Sequence, residues 1–190
     1  AERFTERQGL TQNNVFAIHR SHDGAVWAGT LSGGASLFKG GRFATYNTSN
    51  GLPSNTVASI LEASDGTMWF GTPNGLAAFS RGGWRTYATG DGLPSNDINV
   101  LFQDRMGVIW VGTAKGIAIV EPGRVRPVRT AAAGLYGSIL GFADDRGGSL
   151  WINAVDRVLR VDRAALLHDR LQHGDVREYG VADGLLGVES

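Results

Sequence analysis

The residue types able to do chemistry are few in this 190-residue chain, and their spacing is unpromising for catalysis. The four histidines are His19, His22, His168 and His173, and no pair has a third ligand nearby at the spacing of a metal site. The chain has no cysteine, which removes thiolate nucleophiles, thiolate metal sites and disulfides, and fits any compartment. Asp144 and Asp145 are adjacent carboxylates of the kind used in general acid and base work, but they fall just before a turn and read as turn residues. Arg124, Arg126 and Arg129 form a basic stripe that could serve an anionic ligand or a partner; equally, it could protect an edge strand from aggregation. No glycine-rich loop joins a strand to a long helix, so nothing cradles phosphate. Asn14, Asn55 and Asn96 remain, with Asn13 beside the first. Amides gathered at one place could bind a polar ligand, or each could tie only its own turn. The expectation is therefore no catalytic residue, no metal and no cofactor, with Asn14, Asn55 and Asn96 as the candidate ligand-binding residues.

The elements that position these residues are set by a repeat. Trp27, Trp69, Trp110 and Trp151 stand 42, 41 and 41 residues apart. Ahead of each lies a turn pair, Asp23-Gly24, Asp65-Gly66, Met106-Gly107 and Gly147-Gly148, suited to positive φ in hairpins. After each come Trp27-Ala28-Gly29-Thr30, Trp69-Phe70-Gly71-Thr72 and Trp110-Val111-Gly112-Thr113, while the fourth copy departs as Trp151-Ile152-Asn153-Ala154. Short apolar stretches precede the tryptophans at 15–18, 57–61, 98–102 and 139–142, and two more follow each of them. Four strands per period of about 41 residues, joined by glycine-rich turns, make one blade of a β-propeller.

The expected class is all-β: a partial propeller of about four four-stranded antiparallel blades at 11–49, 53–90, 94–131 and 135–181. A short helical insert is expected in the fourth blade at 163–172, where alanine and leucine cluster. Residues 1–8, with a strand at 3–7, read as the outer strand left from a preceding blade, and 182–190 as the start of a connector. Each blade begins with a connector such as Gly51-Leu52-Pro53-Ser54-Asn55 or Gly92-Leu93-Pro94-Ser95-Asn96. The tryptophans are expected to pack between sheets, with each N–H finding a partner, and the threonines after glycine to satisfy local acceptors. Terminal sheets without neighbours would expose apolar surface, so self-association is expected.

Composition narrows the function classes. Eighteen basic residues, sixteen of them arginine, cancel eighteen acidic ones, leaving no field that favours nucleic acid or an anionic membrane. No apolar run approaches the roughly 20 residues of a membrane span, so no membrane contact is expected from this segment.

The sequence Gly51-Leu52-Pro53-Ser54-Asn55, then Asp65-Gly66, Trp69-Phe70-Gly71-Thr72 and Asn74-Gly75-Leu76, resembles the two-component regulator propeller repeat, and residues 92–119 match nearly as well. The resemblance implies the extracytoplasmic, periplasmic sensor of a bacterial histidine kinase or diguanylate cyclase: a ligand- or partner-binding module in signal transduction, without chemistry of its own. It also implies a small-molecule partner, in relatives often a carbohydrate breakdown product, although no motif in this chain carries that. The alternatives are a propeller enzyme, lyase or hydrolase, and a protein-interaction scaffold.

Overall fold

The structure is a computed structural model that describes residues 2–81, 83–129, 135, 137–180 and 183–184. Sixteen strands among these form four separate four-stranded sheets, each antiparallel and each ordered as the chain runs. The first holds β1 (Val15–Arg20), β2 (Val26–Thr30), β3 (Ala35–Lys39) and β4 (Arg42–Tyr46). The second holds β5 (Ser59–Glu62), β6 (Met68–Thr72), β7 (Gly75–Ser80) and β8 (Gly83–Tyr87). The third is β9 (Ile98–Gln103), β10 (Ile109–Thr113), β11 (Gly116–Glu121) and β12 (Arg124–Pro127). The fourth is β13 (Ile139–Asp144), β14 (Ser149–Ala154), β15 (Val158–Asp162) and β16 (Val176–Tyr179).

Local chemistry explains the hairpins. The turns between the first two strands of each sheet place Gly24, Gly66, Gly107 and Gly148 at φ of 84, 81, 86 and 87°, which glycine alone adopts without cost. The threonine that ends the second strand of each of the first three sheets closes the next turn. Thr30, Thr72 and Thr113 donate their hydroxyls to the carbonyls of Gly34, Gly75 and Gly116 at 2.9, 2.8 and 2.8 Å. All three are fully buried, so the bonds satisfy polar atoms that would otherwise be stranded.

The sheets stack face to face, and Trp27, Trp69 and Trp110 each belong to the core shared with the following sheet. Trp27 lies with Val57, Ile60 and Phe70; Trp69 with Ile98, Leu101 and Ile109; Trp110 with Ile139, Leu150 and Ile152. The first strands β1, β5, β9 and β13 neighbour one another in turn, as inner strands around a common axis do. A close approach at one point fixes this stacking. A Cβ on Gly29 would sit 2.7 Å from Val57 Cγ1, one on Gly71 2.8 Å from Ile98 Cγ2, and one on Gly112 2.9 Å from Ile139 Cγ2. Glycine stands there because the next sheet's first strand occupies the space of a side chain. In the fourth sheet that position is Asn153, and it is exposed.

The first sheet presents an open face. Val15 is 40% exposed, whereas its counterparts Val57, Ile98 and Ile139 are at 0–1%, and Ile18 is 75% exposed against 9% for Ile60. A hollow of about 370 Å³ on this face is lined by Val15, Ile18, Val26, Phe38 and Phe43, with Phe4 at its edge. Phe4 packs at an angle against Phe38 and Phe43 at 4.7 and 5.7 Å, just as Tyr46 of the first sheet packs against Phe79 and Trp84 of the second at 5.5 and 5.9 Å.

One expectation is corrected. The strand expected at 3–7 is instead a 3-10 turn over Glu6–Gln8. Gln8 Oε1 accepts from the Thr5 N–H at 2.9 Å, and Thr5 Oγ1 accepts from the Arg7 N–H at 3.3 Å, so the polar side chains cap a turn and no ladder forms. The same turn recurs at Thr48–Asn50 and Thr89–Asp91, which makes Phe4 the positional counterpart of Tyr46 and Tyr87, and 5–8 part of a connector. The short helical insert expected within 163–172 is present as α1 (Arg163–Leu167), capped by Asp162, with a separate 3-10 turn at His173–Asp175. The connector expected at 182–190 lies outside the described residues apart from 183–184.

Candidate functional site

The repeated asparagines brace turns in their own connectors. Asn55 Oδ1 accepts from the Thr48 N–H at 2.9 Å and Asn96 Oδ1 from the Thr89 N–H at 2.8 Å, each bracing the 3-10 turn seven residues earlier in its own connector. The matching residue in the first connector is Asn13, whose Oδ1 accepts from the Glu6 N–H at 3.1 Å. Asn14 is one position out of register; it is exposed, and its backbone carbonyl accepts from Leu31 at 3.0 Å. The oxygen of each repeated amide is thus committed to its own backbone.

A different set of polar side chains joins one sheet to the next. The residue ending each first strand accepts a hydrogen bond from the backbone of the preceding sheet's first turn. Glu62 Oε2 accepts from the His22 N–H at 2.7 Å, Gln103 Oε1 from the Ser64 N–H at 3.1 Å, and Asp144 Oδ2 from the Arg105 N–H at 3.2 Å. At the first junction the His22 and His19 rings also lie 3.2 and 3.8 Å from Glu62. At the third, Arg105 Nε donates to Asp144 at 2.6 Å, holding that carboxyl below the usual aspartate range. In the first sheet the corresponding residue is Arg20, which has no acceptor to offer.

The third junction is the most heavily bonded. The buried Asp104 carboxylate accepts from the backbone of Met106 and Val108 at 2.9 and 3.0 Å, from Trp110 Nε1 at 2.8 Å and from Arg163 Nη1 at 2.9 Å. Arg126 donates to the Leu167 carbonyl at 2.6 Å, to Asp169 at 2.7 Å and to Glu121 at 3.0 Å, and the Arg129 N–H reaches Asp169 at 2.9 Å. The basic stripe is therefore a bracket that fastens α1 and the loop after it across the third and fourth sheets. Leu166 of α1 is fully buried in the core beneath. Arg126, then Arg124, hold the Glu121 carboxyl below its usual range. Asp145 accepts from the Ser149 backbone at 3.0 Å and from Trp151 Nε1 at 3.1 Å, and the backbone bond, followed by the indole, lowers its pKa. His168 caps α1 at its C-terminal end and His173 opens the 3-10 turn beyond it.

Concave space also opens at the first junction. A cleft of about 230 Å³ opens between the first two sheets beside Ser21, Trp27, Lys39, Glu62 and Arg81, with Lys39 Nζ donating to Asp23 Oδ2 at 2.6 Å on its rim. Among the described residues no group of three histidines or carboxylates could hold a metal ion, and no helix is long and apolar enough to cross a membrane.

Four twisted antiparallel sheets of four strands, stacked around inner first strands with a tryptophan in each shared core, define a β-propeller segment. The model of the two-component regulator propeller repeat matches residues 51–74 and 92–115, in the second and third of these sheets. No curated protein matches the chain in sequence. Among solved structures, the extracellular domain of a protein named as the hybrid two component system BT3049 of B. thetaiotaomicron superposes with a TM-score of 0.70 at 24% identity, over 83% of this chain and 23% of that one. The extracellular domain of BT4673 from the same organism gives 0.59 at 18% identity, over 91% and 32%. Virginiamycin B lyase of Staphylococcus aureus gives 0.64 at 18% identity, over 87% and 55%. The chain thus spans under a third of the two extracellular domains and just over half of the lyase, and at these identities the likeness is one of fold.

Proposed function

We propose that the chain is a non-catalytic part of the extracytoplasmic sensor of a bacterial signal-transduction protein, and that it binds a small molecule or a partner and passes the change to the domain that follows. The observation that carries this reading is the pair of regulator propeller repeats at 51–74 and 92–115, set in sheets that superpose on the extracellular domains of two signalling systems. The stacked inner strands suit the role. A ligand touching two neighbouring first strands alters the polar links at Glu62, Gln103 or Asp144, and these join whole sheets. The resemblance in fold to a lyase supplies no residue for catalysis, and the histidines sit in structural positions at sheet junctions and turns.

The test is a thermal-shift screen of the chain against oligosaccharides and other small metabolites. A true ligand stabilises the folded chain by about 2.7 kcal/mol at a hundred times its Kd, and so raises the melting temperature in a concentration-dependent way. A flat response across a broad library would overturn the sensor reading in favour of a scaffold. Incubation with a streptogramin B substrate should leave it intact by mass spectrometry, and a cleaved product would overturn the non-catalytic half of the proposal.

A further inference from the structure

The same junction is built three times in this molecule, and the three copies differ in what faces the tryptophan N–H. At the third junction the residue six before the tryptophan is Asp104, and its carboxylate gathers the indole of Trp110, the guanidinium of Arg163 and two backbone N–H groups within 3.0 Å. In the fourth sheet Asp145 takes the indole of Trp151 in the same way. At the second junction the position is Ala63; the sheets close over it, and Trp69 Nε1 is buried without a partner. At the first junction the position is Ser21, and here the sheets do not close: the cleft of about 230 Å³ opens instead.

The cleft repeats the donors of the third junction without its acceptor. Trp27 stands where Trp110 stands, only 4% exposed, and among the described residues its Nε1 has no hydrogen-bond partner. Arg81 directly follows β7, as Arg163 directly follows β15, and it lines the cleft. The Ser21 hydroxyl adds a further donor where the Asp104 side chain begins. The two acids nearby are already engaged, Asp23 by Lys39 and the Ala25 N–H, and Glu62 by the His22 N–H. An indole N–H, a guanidinium and a hydroxyl around a space of this size make a site for a planar anion. Its volume falls below the roughly 300 Å³ of drug-sized pockets and suits a small acid.

We propose that the cleft between the first two sheets binds a small-molecule carboxylate, which takes the place that the Asp104 side chain fills within the chain itself. Binding there completes the first junction, so the ligand acts as a removable version of a bond that is permanent at the third. The proposal rests on the internal comparison of junctions and stands apart from the sensor reading.

The test uses the whole chain labelled with nitrogen-15 and follows its indole N–H resonances, with Trp27 assigned by Trp27→Phe. Sodium acetate and sodium succinate are titrated at constant ionic strength against acetamide, a neutral isostere of acetate. The carboxylates should move the Trp27 indole resonance downfield to saturation, acetamide should not, and the resonances of Trp110 and Trp151, already bonded to carboxylates, should stay in place. Ser21→Asp should move the Trp27 resonance with no ligand present and abolish the titration. If that variant fails to fold, Arg81→Gln supplies the second arm, with carboxylate affinity falling about tenfold or more. A Trp27 resonance that does not move, one that moves equally with acetamide, or a titration that survives Ser21→Asp or is unchanged by Arg81→Gln would overturn the proposal. Because the readout is local to Trp27, its failure is distinct from a flat metabolite screen.

Discussion

Gly112→Ala tests whether the sheets are held apart by what the glycine column permits. A Cβ at this position would lie 2.5 Å from Val100 Cγ1, 2.9 Å from Ile139 Cγ2 and 3.1 Å from Phe142 Cε2. Carbon atoms settle at about 3.5–4.0 Å, so the nearest contact is short by about 1 Å. Val100 lies on the neighbouring strand of the same sheet, and Ile139, fully buried, lies on the next sheet. Both are β-branched and stiff at χ1, so neither can swing clear and the third and fourth sheets must part. Overpacking of a core costs about 1–3 kcal/mol, and pressure on two walls at once places this variant at about 2–3 kcal/mol. For a chain of this size each kcal/mol lowers Tm by about 2–4 °C, giving an expected drop of about 4–12 °C by calorimetry or circular dichroism. Adding Val100→Ala should leave the double variant less destabilised than the sum of the two singles. Gly90→Ala is the control, since a Cβ there meets nothing within 4 Å. If Gly112→Ala melts alongside Gly90→Ala, the close-approach account of sheet stacking is wrong.

Arg163→Met should cost about 2–3 kcal/mol in urea unfolding, because it strips one of four donors from the buried Asp104 carboxylate, and Asp104→Asn in the same background should recover part of the loss. Asn55→Ala should cost about 1 kcal/mol through the lost Thr48 bond, whereas Asn14→Ala should stay within about 0.5 kcal/mol of wild type; equal effects would mean that the connectors are not braced as described. Acid should loosen the third junction. Asp144 and Glu121 have carboxyl groups held low by Arg105 and Arg126, so their contribution is complete above the ordinary carboxylate pKa of about 4 and is lost as pH falls through the depressed folded values. The Tm should therefore be level from neutral pH to about 5 and fall below about 4, with a shallower fall in Asp144→Asn.

The sheets were legible in the sequence because the tryptophan interval and the glycine-threonine pairs report a period, and the glycine and threonine do the same job in each of the first three copies. The threonine hydroxyls close the turns as expected, and the tryptophans pack between sheets. The expected partner for every indole N–H was too general, since it depends on the residue six positions earlier, which runs Ser21, Ala63, Asp104, Asp145. That column could have been read, as could the first-strand ends Arg20, Glu62, Gln103 and Asp144. Both sets are polar or variable at a fixed place in the repeat, and their partners lie one period away in sequence. Counting from the Gly-Leu pair would also have selected Asn13 in place of Asn14. The bracket made by Arg126, Arg129 and Asp169 was not readable, because it joins an outer strand to an insert that has no counterpart in the other copies.

Asn153 and Arg20 have a consequence for assembly. Each interior sheet carries a bare glycine on one face and a hydrogen-bond acceptor at the end of its first strand, so such units could in principle be added one after another without limit. The last sheet fills the glycine's space with an amide, and the first replaces the acceptor with a guanidinium. The contact made by Gly29, Gly71 and Gly112 and the link made by Glu62, Gln103 and Asp144 are therefore not repeated at these two surfaces.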